Sequence, residues 1–316
     1  MALLPLIDSP VDYRRVRNDE GIWRPAIQVI AERHGLAVAG LQRASGGTHV
    51  VHLDEAVVVK LYVPLWGGDA ASEADMLAHV DGRLSAATPA VVATGELEGW
   101  RYLVMSRVPG RPLSERWSAL DPGPRLRLLA RLGELAAELH ALPLPTPLAD
   151  ARAEWVARVD ERLARLPAKQ REDGLDEAWV EAVVAEAAEL DHAALRSAPL
   201  GSLHMDLHHD HLTVREVDGE LELAGLFDFG DATVGAREHD LVAPLAFMAH
   251  DVAGGAEALL RGYGYPAEKL DHALARRLTG QLLLQRYCRL PGVIDRLGEP
   301  APRDVDELLA RLWTFV

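Results

Sequence analysis

The chain has 316 residues, 49% of them hydrophobic and 26% charged, enough to bury one large or two modest cores, which excludes disorder as its main state. Asp and Glu number 48 against 33 Lys and Arg, and the formal net charge of -15 excludes a general electrostatic grip on nucleic acid or an anionic membrane while admitting small cationic ligands. One cysteine, Cys288, excludes an intramolecular disulfide and zinc sites of the multi-cysteine kind, and its scarcity fits the cytoplasm.

In chain order, Ala2 to Ile7 is apolar, but no basic residue precedes it and Asp8 follows, so it does not read as a signal peptide. Residues 12–35 carry apolar positions at helical spacing and predict a helix that restarts at Pro25 and ends at Gly35. A β-rich region follows, with strands on either side of Ser45-Gly46-Gly47-Thr48, a turn at Asp54-Glu55 and a strand over Val57 to Tyr62. A helix is expected over Ala71 to Val80, short strands over Ala90 to Thr94 and Tyr102 to Met105, and a break at Val108-Pro109-Gly110-Arg111-Pro112. Beyond the break the chain reads as mostly helical. Helices are predicted over Arg125 to Leu142, Ala151 to Leu166 and Leu175 to Asp191, with a polar connection over Pro167 to Gly174, and at least three more follow from Asp240 onward. The longest apolar run, Leu241 to Ala249, is far short of the roughly 20 residues of a membrane helix.

One hairpin interrupts the helices. Leu212 to Val217 and Leu221 to Phe227 flank Asp218-Gly219, and a two-residue turn there brings Asp228 opposite His209. Two polar segments then meet at one sheet end: 202–211, which holds His204, Asp206, His208, His209, Asp210 and His211, and 228–231, which holds Asp228 and Asp231. Three readings compete. The plainest is a His-rich surface loop. A second is a transition-metal site on His204, His208 and a carboxylate. The third is phosphoryl transfer, in which one aspartate orients an attacking hydroxyl and another holds a hard cation on the nucleotide phosphates.

The third reading requires a nucleotide-gripping element, and the N-terminal part offers one. A two-residue turn at Asp54-Glu55 sets Lys60 opposite His49, just beyond the small-residue stretch 45–48, whose amides can approach phosphates. Lys60 interrupts an apolar strand, and Glu73 on the next helix is placed to neutralise it; the plain alternatives are an edge-strand lysine and a solvated helix charge.

His204-x-Asp206-Leu-His208-x-x-His211, the hairpin, Phe227-Asp228-Phe-Gly-Asp231 and Asp240-Leu241 together resemble the catalytic and metal-binding loops of the aminoglycoside phosphotransferases, relatives of the protein kinases. The resemblance covers nearly the whole chain. Ile7-Asp-Ser, Arg17-Asn-Asp-Glu20 and Trp23 are similar to the start of the hygromycin B 7''-O-phosphotransferases. It implies an α+β, two-lobed kinase-like fold: residues 1–105 as a nucleotide-binding lobe with a small antiparallel sheet, 106–112 as a hinge, and 113–316 as a helical lobe with the acceptor site. It further implies Asp206 as catalytic base and Asp228 with His211 as metal ligands. Lys60 would sit on the nucleotide phosphates, held by Glu73. Ser45, Gly46, Gly47 and Thr48 would cover the phosphates, Ser106 to Val108 would offer backbone groups to the nucleobase, and His204 and Asp240 would be structural supports. The cofactors implied are ATP or GTP with Mg²⁺ or Mn²⁺. The expected partner is a cationic acceptor, with an aminoglycoside such as hygromycin B leading and the enzyme acting as monomer or homodimer to confer resistance; a kinase for another metabolite, or a catalytically weak nucleotide binder, is the alternative.

Two positions depart from the family pattern. Met205 stands where a small residue is usual between the catalytic-loop His and Asp, and His211 stands where the second metal ligand is normally asparagine. Imidazole is a softer donor than an amide oxygen. Glu154, Asp160, Glu161, Glu172, Asp173, Asp176 and Glu177 are candidates for an acidic wall facing a cationic acceptor, and solvated helix faces read the same way.

Overall fold

The computed structural model describes residues 2–44, 47–66, 69–286 and 289–316. Its contacts divide the chain into two compact units, the first formed by Met1–Arg83, Ala87–Pro109 and Leu226–Asp231, the second by the remainder.

In the first unit, α1 (Pro10–Val16) and α2 (Glu20–Arg33) replace the single helix expected over 12–35, and the break falls at residues 17–19 rather than at Pro25. Asp19 decides this. Its carboxylate accepts the Gly21 N–H and caps α2, while Pro25 is carried inside the helix by the buried face Trp23, Ala26, Ile27, Ile30 and Ala31. That face packs on the core of a five-stranded antiparallel sheet formed by β1 (Gln42–Arg43), β2 (Val50–Leu53), β3 (Val57–Leu61), β4 (Val91–Leu97) and β5 (Trp100–Ser106), with spatial order β1-β2-β3-β5-β4. Helix α3 (Asp69–Val80) follows β3.

The β2–β3 register differs from expectation by two residues. Val51 stands opposite Lys60, because Asp54 pairs with Val57 and the turn residues are Glu55 and Ala56. Asp54 sets this turn by accepting the Ala56 and Val57 amides at 2.7 and 2.8 Å through one carboxylate oxygen. An even shift leaves Lys60 on the same face, so the error moves its neighbour but not its direction.

The second unit begins with β6 (Arg111–Pro112), α4 (Ser114–Trp117) and α5 (Pro122–Ala141), whose residues Leu128, Leu129, Leu132, Leu135, Ala136 and Leu139 are buried. Helix α6 (Leu148–Asp173) runs through Pro167 and absorbs the connection expected over 167–174. Leu166 and Gln170 bury one face across the proline, and Gly174, at φ 101°, ends the helix where a left-handed residue is needed. Helices α7 (Glu177–Ala188) and α8 (His192–Ser197) start at Asp176 and Asp191, each accepting the amide three residues on.

Strand β7 (Leu200–Leu203) takes the start of the segment expected to be a polar loop, since all four of its residues are buried. Next come β8 (Leu212–Val217) and β9 (Glu220–Leu226), joined by Asp218 and Gly219 at φ 52° and 82°, the left-handed pair of a tight hairpin turn. β8 lies between β6 and β9, while β10 (Thr233–Ala236) pairs antiparallel with β7. Helix α9 (Glu238–Pro244) passes into a π-helical turn over Leu245–Ala249, and α10 (Gly255–Tyr263), α11 (His272–Leu284), α12 (Leu290–Arg296) and α13 (Val305–Leu312) complete the unit.

Candidate active site

In the first unit, strand β3 sits between β2 and β5, so Lys60 is not an edge lysine. It is 5% exposed, and its ammonium donates to Glu73 Oε2 on α3 and to Asp228 Oδ1, each at 2.7 Å. Burial alone would favour the neutral amine, but the two carboxylates outweigh it and hold Lys60 above its usual range. A permanent cation is therefore fixed in a buried strand. Tyr62, two residues on and fully buried, donates its hydroxyl to the same Glu73 oxygen. Gly230 closes on this group: a Cβ there would stand 3.3 Å from both Glu73 Oε2 and Lys60 Nζ. Asp228 itself has φ 65°, a left-handed backbone that costs a non-glycine residue about 1–2 kcal/mol. Such strain persists where the surroundings over-determine it, and the Asp228 side chain is held in an ion pair with Lys60.

His49 packs on the Tyr62 ring with centroids 4.6 Å apart, and its Nδ1 accepts the Val63 N–H at 3.4 Å. Burial first, then the Lys60 charge, pushes it down to about 3, so the ring is neutral. Ser45 and Gly46 lie outside the described residues; Gly47, at φ 82°, and Thr48 are exposed just before β2. The Ser106 and Arg107 amides already donate to Ala90 and Ala56 carbonyls, so neither amide remains to meet a nucleobase.

In the second unit, Asp240 on α9 is 1% exposed and organises the loop after β7. Its oxygens accept the His204 amide at 2.7 Å and the Met205 amide at 2.6 Å, and His140 Nε2 lies 3.1 Å away. Since a carboxylate only accepts, His140 carries its proton on Nε2, and in the neutral ring Nδ1 accepts from Tyr263 Oη at 2.9 Å. Burial raises the Asp240 pKa, but the His140 hydrogen bond and neighbouring donors more than reverse that and leave it below the ordinary carboxylate value. Met205 has φ 75°, and this left-handed residue aims two successive amides at one carboxylate.

The loop ends by presenting Asp206, whose side chain is 34% exposed. Its Oδ1 lies 2.8 Å from His208 Nε2, while His208 Nδ1 accepts the Asp210 N–H at 3.3 Å, which places the His208 proton on Nε2. His211 Nδ1 donates to the Asp206 backbone carbonyl at 2.8 Å and stands 3.5 Å from Oδ2. Burial pushes the Asp206 pKa up, yet the His208 hydrogen bond and nearby imidazoles bring it below the ordinary range. Phe247, on the π-helical turn, faces the His208 ring edge-on at 5.8 Å and lies under the Arg296 guanidinium at 4.6 Å.

Sequence reasoning named Lys60, Glu73, Asp206 and Asp240 but missed Tyr62, His140, Tyr263 and Phe247. Only Tyr62 had a local signal, its position two residues beyond Lys60 on the same strand face. The proposed acidic wall is partly neutralised: Asp160 pairs with Arg196, Asp173 with Lys169 and Arg289, and Glu177 with Arg171. Asp160 and Glu177 pair across helices, and Asp173 pairs within α6 and with Arg289 at the start of α12.

The sequence pattern of the phosphotransferase enzyme family matches residues 40–276, most of the chain, including both loops and the Lys60 strand. The chain belongs to the phosphotransferase enzyme family. Its α+β fold is that of the kinase-like aminoglycoside phosphotransferases. The GDP complex of wild-type aminoglycoside 2'-phosphotransferase-IIIa is similar with a TM-score of 0.65 at 18% identity, covering 92% of this chain and 98% of that one. The streptomycin-ATP ternary complex of APH(2")-IIa gives 0.61 at 19% identity, covering 92% and 97%. Aminoglycoside-3'-phosphotransferase of type VIII gives 0.57 at 25% identity, covering 83% and 98%. No curated protein matches this phosphotransferase in sequence. None of its described helices is long and apolar enough to cross a membrane.

Proposed function

We propose that this phosphotransferase moves the γ-phosphoryl group of ATP or GTP directly to a hydroxyl of an aminoglycoside, with a hygromycin B-like compound as the leading acceptor, and so confers resistance in the cytoplasm. The observation that carries the reading is the pairing of a buried, permanently charged Lys60 with Glu73 and Asp228, alongside a separately braced, ionised and partly exposed Asp206. In this reading Lys60 holds the nucleotide phosphates and Glu73 and Tyr62 keep its ammonium in place. Gly47 and Thr48 cover the phosphates, and the Val108 backbone meets the base.

Asp206 orients the acceptor hydroxyl and takes its proton as the phosphoryl group departs. A carboxylate of depressed pKa is a weak base, which suits a loose transition state in which the hydroxyl proton leaves late. Asp240 acts through the loop backbone, fixing where Asp206 points.

A divalent cation fits part of this donor set. Asp228 offers it a hard carboxylate with a 44% exposed side chain. Asp228 would hold the ion, whose contribution when bound is to neutralise charge on the transferred phosphoryl group.

A second acceptor class is favoured by Phe247, whose ring meets His208 in a T-shaped contact and carries the Arg296 guanidinium on its face. That combination suits a less cationic alcohol, such as another antibiotic or metabolite. A panel of aminoglycosides and other alcohols, incubated with radiolabelled ATP or GTP and analysed by mass spectrometry, tests the reading. A product heavier by about 80 Da, one phosphoryl unit, is expected on an aminoglycoside; nucleotide binding without acceptor-stimulated turnover would reduce the chain to a nucleotide-binding protein.

A further inference from the structure

Of the histidines beside Asp206, two point their nitrogens at one spot. One donor atom each from Asp206, His208 and His211 lies within 4.8 Å of the others, and the His208 and His211 rings are 4.8 Å apart by centroid. Tetrahedral nitrogen and oxygen ligands at about 2.0–2.1 Å from a zinc ion stand about 3.4 Å from each other. The Asp206 oxygens are already 2.8 Å from His208 Nε2 and 3.5 Å from His211 Nδ1. Small side-chain rotations, with the His211 proton moved from Nδ1 to Nε2 and its hydrogen bond to the Asp206 carbonyl given up, separate this cluster from a coordination sphere. Two imidazoles and a carboxylate form a soft-to-borderline set that selects first-row transition metals over Mg²⁺, and three protein ligands leave a fourth position open.

We propose that Asp206, His208 and His211 form a zinc-class metal site on the catalytic loop, distinct in ligands and in metal from the nucleotide cation, and that the bound ion switches phosphoryl transfer off. The ion takes the Asp206 oxygen that would otherwise receive the acceptor proton. When the metal replaces the proton on His208 Nε2, that proton is relocated to Nδ1, the Asp210 N–H gives up its bond there, and Asp210 Oδ2, 3.6 Å away, accepts in its place. The neighbouring trio His208, His209 and Asp210 competes for the same imidazole, but the Asp210 side chain is 55% exposed and must give up that supporting role to become a ligand. His211, with a 16% exposed side chain, sits deeper than Asp210 and than His209 at 26%. The inhibitory consequence rests on Asp206 being the proton acceptor; the metal site itself does not.

The test uses the full-length protein stripped of metal, titrated with Co²⁺ while visible absorption is followed, then with Zn²⁺ as competitor in excess Mg²⁺. One equivalent of Co²⁺ with tetrahedral absorption is expected, displaced by stoichiometric Zn²⁺ and unaffected by Mg²⁺. His211→Asn and His208→Gln should each weaken Zn²⁺ binding at least about ten-fold, with circular dichroism confirming that each remains folded. His209→Ala should bind as the unmodified protein does. Absence of the Co²⁺ spectrum in the unmodified protein, equal affinity in His211→Asn and His208→Gln, or loss of binding in His209→Ala overturns the site. Zinc bound at one equivalent with transfer to an identified acceptor unslowed supports the site and overturns the role given to Asp206.

Discussion

Tyr62 shows how little chain separates a structural residue from a site residue. Its hydroxyl and the Lys60 ammonium converge on one Glu73 oxygen in a fully buried setting, so the phenol limits where the carboxylate can rest. Removing that hydroxyl costs about 1 kcal/mol of hydrogen bonding and leaves Glu73 looser against Lys60. Tyr62→Phe is expected to weaken nucleotide affinity several-fold, with the fold retained, measured by calorimetric titration of the nucleotide; unchanged affinity would show that the Lys60 pair holds itself. The Lys60–Glu73 pair was legible because a lysine within an apolar strand needs a counter-charge and the following helix offered one. His140 was not legible. It reaches Asp240 from a hundred positions away, and nothing near it in the chain distinguishes it from the other histidines. Met205 was visible only as a departure from a small residue; its φ of 75° is a conformation that suits a small residue, and the methionine side chain is buried.

Among the elements, α5 and α10 meet more closely than apolar side chains allow. A Cβ at Gly133 would overlap the Leu259 carbonyl oxygen, and one at Gly262 would overlap the Ala130 carbonyl oxygen, so each glycine admits the other helix's backbone. Gly133→Ala forces the two helices apart, and a destabilisation of at least about 1–3 kcal/mol is expected by denaturant titration. An unchanged midpoint would contradict the close packing. Neither glycine announced this in the sequence, where glycine within a helical pattern reads as a weak point rather than a contact. Where the element reading went wrong, side chains overruled a breaker. Pro25 and Pro167 both sit inside helices because buried faces continue past them, and Asp54 chose the β2–β3 turn by capping two amides. Strand β7 was hidden because its polar Ser202 is buried in a short two-stranded ladder.

At the scale of the whole molecule, acid pH works against the fold through its buried histidines. Burial holds His49 and His239 down at about 3, His239 between Arg162 and Gln281, and it lowers His52 and His250 as well. In the unfolded chain these rings titrate near 6.5. Between about pH 6.5 and 3 the unfolded state therefore binds protons that the folded state refuses, and stability falls as pH drops. Asp206 and Asp240, whose pKa values are depressed, add a further loss below the ordinary carboxylate range of about 3.9. Relief of the -15 net charge on acidification acts the other way, but those charges are mostly at the surface and screened by salt, so the buried groups decide the sign. Chemical denaturation at pH 7 and pH 5 should show a lower midpoint at pH 5 that His239→Gln partly removes; equal midpoints would mean that these rings are protonated in the folded state.

The acidic composition that opened the reading also looks different at this scale. Asp160 and Asp173 on α6 and Glu177 on α7 pair with arginine or lysine, so part of the acidic composition is neutralised locally. The central claim is that Asp206 takes the acceptor proton while the Lys60 group holds the nucleotide. Its most direct test is single-turnover phosphoryl transfer by Asp206→Ala with an acceptor identified from the panel, beside nucleotide affinity measured on the same sample. Transfer should fall by about 10²–10⁴-fold with nucleotide affinity largely retained; transfer at the unmodified rate would contradict the account.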